Sequence, residues 1–74
     1  MTKEQALAAM GIATYGDAAW FDTDDVVTTA ETIADFVEAQ GKPSFITDGV
    51  YQWEMGKTSL LVVDAGDVRY AIKY

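Results

Sequence analysis

Apolar and polar positions change period partway along the chain. In TKEQALAAMG, Ala6, Leu7 and Met10 recur on one side of a helix, Thr2 and Gln5 stand at capping-box spacing, and Gly11 is a natural stop. A short first helix is predicted there. Gly16 and Asp17 then mark a turn, and DAAWF reads as a single helical turn that packs Trp20 and Phe21 inward. The next helical pattern is clearer: Ala30, Ile33, Ala34 and Val37 recur at helical spacing, Phe36 widens the stripe, and Gly41 ahead of Lys42 and Pro43 ends it. Two starts are open. Thr28 with Glu31 repeats the capping-box spacing, while Asp22 can instead cap a longer helix with Asp24 and Asp25 in its first turn. Against the longer version, Val26, Val27, Thr28 and Thr29 are four consecutive β-branched residues, which form helix poorly.

After Pro43 the period becomes two. SFITDGVYQWEM places Asp48 and Gly49 between apolar runs, a strong hairpin signal, and sets Tyr51, Trp53 and Met55 on one face with Val50, Gln52 and Glu54 on the other. Gly56 and Lys57 make the next turn, TSLLVVD a further strand, AGD a third turn, and VRYAIKY a last strand with Val68, Tyr70, Ile72 and Tyr74 on one face. The predicted fold class is α+β: two or three short N-terminal helices packed on one face of a C-terminal antiparallel β-meander of three to four strands. The aromatics Tyr51, Trp53, Tyr70 and Tyr74 then read chiefly as sheet-face core.

Composition narrows this little but excludes much. The 74 residues suffice for a single domain, monomeric or homodimeric, with an N-terminal half at 1–41 and a β-meander half at 42–74. There is no cysteine and no histidine, so neither a disulfide framework nor a thiolate or imidazole metal site is expected. The N-terminus does not read as a signal peptide and the longest aliphatic run is LLVV, so no membrane span and a cytoplasmic location are expected.

Charge changes the picture more. Residues 1–41 hold eight acids against Lys3, and residues 42–74 hold four acids against four bases, so the net charge of −7 belongs entirely to the first half. Glu31, Asp35 and Glu38 fall at helical spacings of four and three, in a row opposite Ile33 and Val37. A solvated face is the simplest use of such a row. Segregation of sign between the halves goes beyond what solubility requires and suits docking against a basic groove.

Candidate chemistry is sparse. DTDDV matches the opening of a haloacid-dehalogenase phosphatase motif, but that motif needs a parallel doubly wound sheet this chain is too short to build. As a calcium loop it fails at Val26, Val27 and Ile33, where Asp or Asn, Gly and Glu are required. Gly56-Lys57-Thr58 lacks the upstream glycine of a phosphate loop. Asp22, Asp24 and Asp25 could hold a divalent ion loosely, with N-capping and solvation as their simpler uses, and no carboxylate, lysine, serine or tyrosine pairing has a catalytic spacing, so no enzyme, cofactor or metal site is expected. Direct nucleic-acid binding is disfavoured by a pI near 4.1.

In size, acidity and layout the whole chain resembles small phage-encoded inhibitors, particularly anti-CRISPR proteins and DNA-mimicking anti-restriction proteins. The resemblance implies a stoichiometric, non-catalytic inhibitor that occupies the basic nucleic-acid channel of a nuclease complex in the bacterial cytoplasm. An acidic adaptor or immunity-type protein for a basic partner unrelated to nucleic acid is the alternative. The resemblance carries no motif from which site residues transfer. The residues themselves mark Asp22, Asp24, Asp25, Glu31, Asp35 and Glu38 as contact charges, and Trp53, beside Met55, as the aromatic contact.

Overall fold

Period-two alternation after Pro43 becomes a sheet whose turns are set by the residues that tolerate positive φ. Asp48 (φ 48°) and Gly49 (φ 79°) close the hairpin between β2, Phe45–Thr47, and β3, Val50–Met55. Left-handed backbone at both central positions matches the twist of the flanking strands. Gly56 (φ 73°) and Lys57 connect β3 to β4, Thr58–Asp64, and a third turn through Gly66 leads to β5, Arg69–Lys73. The computed structural model describes residues 1–14 and 21–74; the expected turn at Gly16–Asp17 and the placement of Trp20 lie outside them.

The sheet has five antiparallel strands rather than three or four, because a fifth comes from the helical half. The β-branched run supplies β1, Val27–Thr29, which lies along β5 with Val27 opposite Ala71 and Thr29 opposite Arg69. The strand order is β1-β5-β4-β3-β2, so both three-residue strands are edges. Val26 through Thr29 thus satisfy their β preference instead of being forced into a helix.

The helices are α1, Lys3–Ala13, and α2, Ile33–Gln40. They cover opposite faces of the sheet, which corrects the expectation of helices on one face and places α2 after a strand rather than in an N-terminal block. The reason lies in β4. Leu60 and Val62 point to one face, Leu61 and Val63 to the other, and all four are at most 4% exposed. A central strand apolar on both sides must be covered on both sides.

On the first face, Ala6, Met10 and Ala13 bring α1 down onto Val50, Leu61, Val63 and Ile72, with Phe21 and Val26 closing the side. The chain's N-terminus is held here too, since Tyr70 donates its hydroxyl to the Met1 carbonyl at 2.6 Å. The Thr2–Gln5 capping box forms as predicted, with Thr2 N–H on Gln5 Oε1 at 2.8 Å and Gln5 N–H on the Thr2 hydroxyl at 3.2 Å. Gly11 does not stop the helix, which runs one turn further. Thr14 ends it, its hydroxyl and N–H both donating to the Met10 carbonyl.

On the second face, α2 contacts the sheet chiefly through Phe36, with Ile33 partly buried. The Phe36 and Trp53 rings lie 6.0 Å apart between centroids, and Trp53 donates its indole N–H to the Gly41 carbonyl at 2.8 Å. The buried stripe is therefore centred one position away from the predicted one, and Val37 is exposed. An aromatic side chain has the most surface to bury, and Phe36 sets the helix rotation by meeting Trp53. Gly41 ends α2 as expected, at φ 87° with its N–H on the Val37 carbonyl.

Candidate functional site

The acidic segment folds as three short pieces, none of them the long helix. Asp22 precedes a 3₁₀ turn, Thr23–Asp25, closed by Asp25 N–H on the Asp22 carbonyl and Val26 N–H on the Thr23 carbonyl. The Asp22 carboxylate caps nothing. After β1, Thr29 turns the chain by accepting the Glu31 N–H on its hydroxyl at 3.1 Å. The helix then starts at Thr32, not at Thr28 or Asp22. Thr32 N–H donates to Asp35 Oδ2 at 2.8 Å, and Asp35 N–H to the Thr32 hydroxyl at 3.1 Å, a capping box one helical turn later than expected.

This start separates the predicted contact charges by role. Asp35 is a capping residue: its bonds with the Thr32 backbone and hydroxyl hold its carboxyl below the usual aspartate range, against a weak opposing effect of burial and with a smaller contribution from Arg69. Glu31 precedes the helix, so Glu31, Asp35 and Glu38 do not form one helical row. Asp22, Asp24, Asp25, Glu31 and Glu38 are exposed. Trp53, expected as an exposed aromatic, is instead 2% exposed beneath α2, where its N–H donates to the Gly41 carbonyl.

Arg69, beside these acids, forms no ion pair with any of them. It is the buried charge of the sheet, 7% exposed, and its guanidinium is used on backbone: Nε donates to the Glu31 carbonyl at 2.7 Å, Nη2 to the Ala30 carbonyl and Nη1 to the Gly66 carbonyl, each at 2.8 Å. Among the described residues the only ion pair joins Arg69 to Asp64, at 3.5 Å. The strongest cation of the sheet is thereby committed to fastening the β1–α2 connection to the β4–β5 turn.

Beside α2 the second face is not sealed. A cleft of about 560 Å³ opens between the helix and the β1 edge. Its floor is Ala71 and Leu60, its helix wall Phe36 and Gln40, and its strand wall Val27 and Thr29; Lys73 stands at one end. Of the predicted contact charges it gathers Asp25 and Glu31, and the others do not line it. A second hollow, about 90 Å³, lies between the end of α1 and the β2–β3 turn. Among the described residues no three acids lie close enough to share a metal ion, and no helix is long and apolar enough to cross a membrane.

The cleft's apolar lining was missed by sequence reasoning. Ala71, the one small side chain among bulky neighbours in VRYAIKY, was the available signal. No protein-family model, curated protein or solved structure matches this chain.

Proposed function

We propose that the protein is a non-catalytic acidic binding protein, a stoichiometric inhibitor that docks on the basic surface of a nucleic-acid-processing complex such as a CRISPR effector. One observation carries the reading. Residues 21–41 hold six exposed acids and no lysine or arginine, and the cations of the sheet are not turned toward them in ion pairs. The side chains of five of these, all but Asp35, make no hydrogen bond or ion pair among the described residues, and such like-charged company is tolerated where a partner supplies the opposite sign. A surface of this kind stands in for phosphates against a lysine- and arginine-lined groove, gaining on-rate and register from the long-range field.

Capture of partners from a bacterial lysate tests it. Retention at low salt, release at high salt and displacement by DNA or RNA are the expected results. Retention indifferent to salt contradicts the reading. Salt-sensitive retention that nucleic acid does not displace favours the acidic adaptor instead.

A further inference from the structure

We infer that the cleft between α2 and β1 receives an apolar side chain from a partner segment in which that side chain is flanked by lysine or arginine. The inference rests on the acidic-surface reading and says where on that surface the contact is made. Three observations lead to it. The cleft floor is apolar, Ala71 and Leu60 with Phe36 beside them, and about 560 Å³ exceeds what one side chain needs. Val27, on the strand wall, is 62% exposed, an uncovered aliphatic on an edge strand. The chain that frames the cleft, residues 21–41, carries only acids, two of which, Asp25 and Glu31, line it.

Together these describe an apolar socket with carboxylates at its mouth, and its complement is an apolar anchor between cations. A second copy of this chain is the wrong complement, since it would bring a −7 molecule with the same acidic frame against the first. Lys73 gives the site a direction. It lies beyond Ala71 on β5, at the end remote from Thr29 and Arg69, where Glu31 is held. Lys73 weakens cation binding at the Asp25 end, so Glu31 is the stronger cation contact.

The probe is the blocked peptide Arg-Arg-Leu-Arg-Arg, titrated into isotope-labelled protein, with Arg-Arg-Gly-Arg-Arg and Glu-Glu-Leu-Glu-Glu as controls. The leucine peptide is expected to bind about ten-fold more tightly than its glycine counterpart, the gain of burying one aliphatic side chain. Its amide shifts should centre on Val27, Thr29, Phe36 and Ala71, and the acidic peptide should not bind. Two variants at exposed positions change net charge equally at opposite sides of the fold: Val27→Lys inside the cleft and Ile12→Lys on α1, where Ile12 is 73% exposed. Val27→Lys should abolish the leucine advantage and Ile12→Lys should keep it. Equal losses from the two variants, or equal affinity for the leucine and glycine peptides, overturn the cleft and leave the acidic-surface reading standing. No binding of either basic peptide overturns both.

Discussion

The two faces of the sheet are built to different standards. Under α1 the small residues Ala6 and Ala13 and the fully buried Met10 bring an eleven-residue helix close to β3 and β4, and Phe21 and Val26 shut the flank. Under α2 an eight-residue helix stands on Phe36, and the β1–β5 side of the face stays open as a cleft. Among the described residues the first face holds the larger buried cluster and a hollow of about 90 Å³ at the end of α1; the second opens into the cleft of about 560 Å³ and is framed by acids. A buried core on one face and an open cleft on the other is a division open to a domain this small, because a single helix layer suffices to cover the main core.

That contrast can be broken by deleting side chains. Met10→Ala should be among the most destabilising changes, about 3 to 5 kcal/mol, since Met10 is fully buried beneath α1 and cutting it back leaves a void in the larger core cluster. This is a large share of the 5 to 15 kcal/mol typical of a folded domain. Phe36→Ala should cost less, about 2 kcal/mol, because the vacated volume joins an open cleft and fills with water rather than remaining a void. Urea midpoints of the two variants check the order, and a larger loss from Phe36 would reverse the assignment of the faces.

Arg69 sharpens the comparison, since it is the fastening on which the open face depends. Arg69→Met should cost about 3 kcal/mol by leaving the Ala30, Glu31 and Gly66 carbonyls without their charged donor. Arg69→Lys should recover little of it, because one ammonium cannot span three carbonyls. Full stability for the lysine variant would mean that charge alone mattered.

Smaller effects separate the acids. Thr32→Ala should cost about 1 kcal/mol by removing the α2 cap. Because Asp35 is held below its unfolded value, its contribution to stability is fully present above the ordinary carboxylate range and is lost as pH falls through its folded value. Thermal melts between neutral and acid pH should therefore show wild type and Asp35→Asn converging as pH falls. Asp35→Asn should lower stability. Glu31→Gln with Glu38→Gln should leave it unchanged or slightly raised while weakening capture of a basic partner and flattening its salt dependence. A cooperative loss of fold in the double glutamine variant would make those carboxylates structural.

Much of the fold was legible from local chemistry. Asp48-Gly49 set its hairpin, Gly41 ended α2, TSLLVVD matched β4 throughout, and period two sorted Tyr51, Trp53 and Met55 from Val50. The misplacements share a cause. Thr28–Glu31 has the spacing and the glutamate of a capping box, whereas Thr32–Asp35, which forms the box, has the same spacing with the shorter aspartate. What decided between them was long-range: Val27–Thr29 gained a ladder against β5, and Arg69 fixed the following carbonyls. The run Leu60–Leu61–Val62–Val63 declares burial on both faces of its strand, a signal at odds with helices on one face alone. For the site, charge was legible and shape was not. The cleft depends on how far α2 reaches across the sheet and on Ala71 leaving space beneath it, neither of which periodicity records.

Amide hydrogen exchange, with and without the peptide Arg-Arg-Leu-Arg-Arg, tests the division of faces most directly. Slowed exchange confined to β1, the start of α2 and the adjoining part of β5, with α1 unchanged, is the predicted result. Protection spread evenly over the molecule, or concentrated on α1, would contradict it.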